Sequence, residues 1–263
     1  MMREVELEMN KFIFNNKAFI PFITAGDPSI EVSRELILGM QAEGASLIEI
    51  GLPFSDPVAE GITIQKANMR ALTNGTTTDK IFDMIASIKD EIKVPLAIMT
   101  YINPIFTYGV DRFMKKCKEV GVSGVIVPDM PFEEKGEIYD ICKQYGIKLV
   151  SLIAPTSTNR LEKIASEAEG FLYCVSSLGV TGVRTDINTN MEEIINEVKR
   201  YSDIPCMIGF GISTPKQARD MARISDGVIV GSAIVRIIEE YGENSVPHVR
   251  NYVRDMIDAI KEI

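Results

Sequence analysis

The sequence predicts an α/β fold, closed as a single (β/α)8 TIM barrel, and three observations carry that prediction. Eight short apolar runs of strand length each lead into a segment with helical spacing. The length of 263 residues suits such a barrel. No Pro/Ser-rich linker or charged block marks a boundary, so residues 1–263 read as one domain. The rival arrangement, an open doubly wound sheet, more often carries a glycine-rich fingerprint after its first strand, and Gly26-Asp27-Pro28 is no GxGxxG.

The elements follow in order. The opening MMREVELEMNKF interleaves charges with apolar residues and predicts an extra amino-terminal surface helix rather than a secretory signal. Residues 18–24 form the first strand, after which Asp27 can cap a helix and Pro28 can occupy its first turn. Val32, Leu36, Ile37 and Met40 share one helical face, and Gly44 ends that helix. The second strand, 47–51, is followed by two helices, 63–72 and 79–88, with Gly75 between them. Strands are then expected at 95–100, 124–127, 148–153, 171–175, 205–208 and 227–230. Helices are expected at 110–120, 133–145, 159–168, 191–201 and 214–222, with additional helical sequence after strand eight up to Ile263.

Composition excludes several classes. A formal net charge of -9 argues against nucleic acid as a partner, though one phosphorylated metabolite can still occupy a local pocket. No apolar run is long enough to span a bilayer. Cys117, Cys142, Cys174 and Cys206 are widely spaced with no CxxC pairing, which fits reduced core thiols in a cytoplasmic protein. The single histidine, His248, sits in a carboxyl-terminal amphipathic segment, which weakens Cys-His, Ser-His and zinc chemistry alike. No metal site is expected.

The stretch LIEIGLPFSDPVAEG, from Leu47, carries the chemistry. Strand alternation places Leu47, Glu49 and Gly51 on one face and Ile48 and Ile50 on the other, so an acid sits within an otherwise apolar strand. Glu60 returns a second carboxylate beside the same strand end. The alternative is a Glu49 neutralised by a neighbouring Lys or Arg, with Glu60 merely solvated. Glycines in Gly209-Phe210-Gly211-Ile212-Ser213 and Gly231-Ser232, at the ends of strands seven and eight, predict a phosphate seat made of backbone amides and the Ser232 hydroxyl; two structural turns are the alternative. The polar connection 176–190, hinged by Gly179 and Gly182, reads as a lid or an idle surface loop. Asp129 and Tyr101, after strands four and three, either face the site or satisfy loop amides, and Tyr173 either points a phenol into the cavity or fills the core. Desolvation raises a carboxyl pKa towards the range useful for proton transfer, which makes Glu49 the leading acid-base group of a lyase acting on a small phosphate ester.

These motifs together resemble the tryptophan synthase alpha chain family, and the resemblance runs over nearly the whole chain. They are PFITAGDP from Pro21, IEIGLPFSDPVAEG from Ile48, TYINPI from Thr100, PDMP from Pro128, SLGVTG from Ser177, GFGIS from Gly209 and GSAIV from Gly231. The resemblance implies retro-aldol cleavage of indole-3-glycerol phosphate to indole and glyceraldehyde 3-phosphate in tryptophan biosynthesis. It implies Glu49 as the principal acid-base group, Glu60 supporting the indole N-H, and Tyr173 as the active-site tyrosine. Gly182, Gly211 and Ser232 match the phosphate contacts, Thr181 the threonine of the closing lid, and Phe22 the indole pocket. It further implies no cofactor in this chain, pyridoxal phosphate only in a beta-chain partner, and a heterotetramer of two alpha and two beta chains in which Pro53, Asp56 and Pro57 face the partner. The family most often has Asp at the place of Glu60, a frequent Pro at Ile62, and in many members Arg at Ser177. An alpha-like chain that turns over poorly and serves mainly as an allosteric partner of the beta chain is the alternative function, and another phosphate-binding barrel enzyme is a further rival.

Overall fold

Inward and outward residues alternate along the barrel strands, with one register shift in the fourth between Val122 and Gly124, and that period explains how the chain closes. The computed structural model describes residues 12–175, 187–209 and 211–263; the helix expected at the amino terminus lies outside the described residues. The strands β1 (Ala18–Thr24), β2 (Ile48–Gly51), β3 (Leu96–Met99), β4 (Val122–Ile126), β5 (Lys148–Ile153), β6 (Leu172–Val175), β7 (Cys206–Gly209) and β8 (Gly227–Val230) pair in parallel in sequence order and close as a barrel. Ala18, Ile20, Leu47, Ala97, Ile126, Val150, Met207 and Ile229 fill the interior. Phe19, Ile23, Ile48, Ile50, Ile98, Val125, Ile208 and Val228 point outward into the layer beneath the helices. A fully buried side chain of this kind contributes roughly 1.5–3 kcal/mol.

The helices of that outer layer are α1 (Ile30–Ala42), α2 (Ile62–Thr73), α3 (Thr78–Ile88), α4 (Ile102–Tyr108), α5 (Val110–Val120), α6 (Gly136–Tyr145), α7 (Leu161–Ser166), α8 (Ile187–Val198), α9 (Pro215–Ile224), α10 (Ser232–Tyr241) and α11 (Ser245–Lys261). Paired helices follow β2 and β8, as the sequence predicts. The short α4 does not follow from the sequence pattern, because Asn103-Pro104 reads as a turn. Pro104 lies in the first helical turn, where its missing N–H costs nothing, and the carboxylate of Asp129 accepts the Ile102 N–H at 3.0 Å, a cap supplied by a different loop. The expected helix 159–168 is shorter than its pattern, since residues Pro155–Arg160 form tight 3-10 turns first.

One end of the barrel is stoppered. The Phe12 N–H donates to the Gly170 carbonyl at 2.9 Å, and the Phe12 ring lies 6.2 Å from Phe171. Glycines make this fit possible: a Cβ on Gly170 or Gly124 would lie 2.9 or 3.3 Å from the Phe12 ring. The open end is therefore the one formed by the strands' carboxyl termini.

Where β8 meets β1, Gly227 is opposite Ala18, and a Cβ at Gly227 would lie 2.4 Å from the Ala18 carbonyl oxygen. The clash is with backbone, which side-chain rotation does not relieve. Gly227→Ala should therefore destabilise the barrel by about 1–3 kcal/mol or more. Gly136→Ala, where an added Cβ meets no atom within 4 Å, should change stability by no more than ~1 kcal/mol. Chemical denaturation of both variants checks this, and equal midpoints would contradict the close approach of β1 and β8.

Candidate active site

The carboxyl ends of the strands open into a cavity of about 940 Å³, and Phe22, Glu49, Glu60, Tyr173, Gly211, Gly231 and Ser232 all line it. Strand register assembles the first part. Phe22 of β1 is opposite Glu49 of β2, which is in turn opposite Ala97 of β3. Glu49 is fully buried, and neither carboxyl oxygen has a hydrogen-bond partner. No Lys or Arg among the described residues pairs with it, so the ion-paired alternative does not hold. Burial pushes the Glu49 pKa up to about 8, and the nearby charge of Glu60 adds to the shift.

Glu60 stands at the end of the β2 loop, just ahead of α2. Burial raises its pKa to about 7, against the opposing effect of a hydrogen bond from Asn68. That bond, Asn68 Nδ2 to Glu60 Oε2, measures 2.7 Å, and Gln65 Nε2 donates to the Glu60 carbonyl at 2.8 Å. Asn68 is buried on the same inward face of α2 as Ile64, Ala67 and Ala71, so the helix fixes the donor. Neither α2 amide was recognisable as a site residue in the sequence, where Asn and Gln at helical spacing look like surface polarity. Tyr173 is buried among the interior residues, and burial first, then the Glu49 charge, hold its phenol well above the ordinary value.

Missing side chains shape the floor and wall. A Cβ on Gly51 would sit 2.6 Å from the Phe22 ring, and one on Gly231 would sit 3.1 Å from it. At the end of β7, a Cβ on Gly209 would approach the Tyr173 ring to 2.5 Å. The glycines that end these strands therefore make room for the two aromatic rings.

Across the cavity lie the turns after β7 and β8. Gly211 has a φ of +77°, a left-handed conformation that glycine adopts without strain. The Ser213 carbonyl accepts from the Tyr252 hydroxyl of α11 at 3.0 Å, which anchors this turn to the last helix. Ser232 is the first residue of α10, and no side chain caps that helix start, so its free N–H groups and dipole favour an anion. Arg160 and Arg236 also line the cavity. Neither is marked by the sequence pattern, because both lie outside the glycine turns. Arg160 is spoken for: its Nη1 donates to both carboxyl oxygens of Glu133 at 3.1 Å.

Tyr101 and Asp129 do not line the cavity. The Tyr101 hydroxyl accepts the Ala59 N–H at 3.0 Å, and its ring packs 5.2 Å from Phe54, so it braces the loop that carries Glu60. Asp129 caps α4, as described above. Pro53, Asp56 and Pro57 belong to the same braced loop, with Asp56 exposed. Thr181, Gly182 and Ser177 lie outside the described residues. Among the described residues no group of three or more His, Cys, Asp or Glu side chains is placed to hold a metal, and no helix is long and apolar enough to cross a membrane. The four cysteines are buried thiols.

The fold and cavity thus define a (β/α)8 barrel of the acid-base class, with two burial-perturbed carboxyl groups on one side and an anion-favouring pair of turns on the other. The family model for the tryptophan synthase alpha chain matches residues 10–261. The tryptophan synthase alpha chain of Lacticaseibacillus casei is 42% identical over 252 residues, 95% of each chain, and that of Geobacillus stearothermophilus is 46% identical over 230 residues, 87% of this chain and 86% of the relative. Among solved structures, one of the tryptophan synthase a2b2 complex from Pyrococcus furiosus superposes with a TM-score of 0.87 at 35% identity, covering 94% of this chain and all of that one. The alpha subunit from Legionella pneumophila gives 0.86 at 34% identity, covering 94% of each. The chain belongs to the tryptophan synthase alpha chain family.

Because the Glu49 carboxyl has a folded pKa of about 8 against an ordinary 4.5, the folded state binds its proton more tightly than the unfolded state. Both forms are protonated below pH 4.5, and stability is lost progressively as pH rises from there to 8. Glu49→Gln removes this penalty and should stabilise the protein by on the order of 3–5 kcal/mol at pH 8, but much less at pH 4.5. Denaturation curves across that range check it, and a pH-independent difference would show that the carboxyl is not held neutral by burial.

Proposed function

We infer that this chain cleaves indole-3-glycerol phosphate into indole and glyceraldehyde 3-phosphate as the alpha half of tryptophan synthase. The observation that carries this reading is a buried Glu49 with no polar partner of its own, beside a second carboxyl in the cavity. Protonated at neutral pH, Glu49 gives its proton to indole C3. The resulting carboxylate takes the proton of the adjacent side-chain hydroxyl as the carbon-carbon bond breaks, which forms the aldehyde and regenerates the acid. Ionised Glu60 faces the indole N–H as positive charge develops in the ring. Phe22 flanks the indole, and the Tyr173 phenol, which stays neutral, supports the Glu49 side of the cavity. The turns carrying Gly211, Gly231 and Ser232 take the phosphate, with Thr181 and Gly182 of the lid completing the enclosure.

The reaction uses no cofactor in this chain. A beta chain, which holds pyridoxal phosphate, docks on the side of the Pro53, Asp56 and Pro57 loop, where Val58 is 80% exposed, and two alpha and two beta chains assemble in the cytoplasm. The extra methylene of Glu60 relative to the usual Asp is held by the 2.7 Å Asn68 bond.

Indole release by the purified chain, with and without a beta chain, tests this function. Activity should rise with the partner and fall by roughly 100- to 10,000-fold in Glu49→Gln, the range expected for loss of a general acid-base group. Stimulation of the beta chain without any indole release would leave only the regulatory function.

The pH profile should be bell-shaped. Turnover should rise through about 7 as Glu60 ionises and fall through about 8 as Glu49 loses its proton, the two limbs belonging to the interacting pair. Asn68→Ala removes the bond that favours ionised Glu60 and should shift the acidic limb to higher pH. An unmoved acidic limb would count against Glu60 as the group that must be ionised.

A further inference from the structure

We propose that Arg236 is a further ligand of the substrate's phosphate, adding a full positive charge to a seat otherwise built from backbone amides and the Ser232 hydroxyl. The inference rests on the lyase reading of the cavity and deepens it. A phosphate ester entering this site meets the ionised Glu60 in a chain whose formal net charge is -9. A helix start contributes only ~0.3–1 kcal/mol per charge at an exposed position, so amides alone are a weak counterweight.

Arg236 has the position for the task. It follows Ser232 by four residues on α10, which puts the two side chains on one helix face a turn apart. Both line the cavity, together with Gly211, Ser213 and Gly231. Its charge also reaches Tyr252, where it counters the upward push of burial on the phenol, and that phenol holds the Ser213 carbonyl. Arg236 therefore lines the cavity together with the β7 and β8 turns that favour an anion.

It also has its charge to spare. Arg160, the other arginine on the cavity wall, is bound to Glu133. Arg70, on neighbouring α2, is bound to Asp27 and Glu239. Arg236 makes no ion pair among the described residues. A guanidinium offers a planar fork of donors matched to phosphate oxygens, an arrangement that a lone ammonium reproduces only as a point charge.

The test compares Arg236→Gln and Arg236→Lys with the parent chain. Steady-state cleavage of indole-3-glycerol phosphate is measured at several salt concentrations, together with calorimetric titration with inorganic phosphate and glyceraldehyde 3-phosphate. Arg236→Gln should raise KM and both dissociation constants by roughly tenfold, the effect of about 1.4 kcal/mol of binding, with kcat falling less than KM rises. Its KM should depend less on ionic strength than the parent's, and Arg236→Lys should recover part of the affinity. The side chain is exposed, so an unchanged melting temperature identifies folded variants. A parent chain that cleaves substrate while Arg236→Gln keeps its KM, phosphate affinity and salt response would overturn this assignment alone. A parent chain that neither cleaves the substrate nor binds phosphate would overturn the lyase reading and this inference with it.

Discussion

An acid without a partner, enclosed by an apolar barrel, is the constraint that the rest of this site answers. Glu49 occupies a position where Leu47 precedes it on the interior face and Ala97 lies opposite on the next strand. Nothing there can compensate an ionised carboxylate, so the neutral form is the stable one near neutral pH. The protein accepts a local loss of stability to keep a protonated carboxyl inside the barrel, a conflict with folding that is concentrated in one residue. Tyr173 and Glu60 are placed around that acid, and their own perturbed states follow from sharing its poorly solvated surroundings.

The mouth keeps its shape through hydrogen bonds between successive loops. Asp27, after β1, is bound bidentately by Arg70 of α2 at 2.8 Å. Ala59, after β2, is held by Tyr101, after β3. Ile102 of α4 is capped by Asp129, after β4. Glu133 then reaches Arg160, after β5, and Ser213, after β7, is tied to Tyr252 of α11. Each bond is modest, about 0.5–1.5 kcal/mol for neutral pairs and 1.5–3 with a charged group. Their value here is geometric: a shift in one loop is resisted by the next, so Glu60 is carried on a loop with a braced backbone and a pinned carboxylate.

The barrel is legible in the sequence because eight short apolar runs each lead into helical spacing. Phe19 and Ile23 face out while Ala18, Ile20 and Phe22 face in, and Glu49 betrayed the site by breaking an apolar pattern. The turns at Gly211 and Gly231 were legible for the same kind of local reason. What stayed hidden depends on neighbours distant in sequence. Asp129 reads in the sequence as facing the site or satisfying loop amides, and the amide at the start of α4 settles its partner. Tyr101 carries the same two readings, and the Ala59 amide it accepts belongs to a different loop that sequence alone does not bring beside it. Asn68, Arg160 and Arg236 carry no local pattern that separates them from ordinary helix or turn polarity; only the packing of α2, the β5 turn and α10 around one cavity distinguishes them.

The Phe12 stopper has a consequence for traffic. With the amino end of the barrel filled by Phe12 against Phe171, and Gly124 and Gly170 leaving no slack around the ring, the described residues close the cavity at its floor and leave it open at the carboxyl rim. Among the described residues, whatever enters the cavity and whatever leaves it crosses that rim. A barrel open at both ends would offer a second route through its floor; Phe12 closes that route.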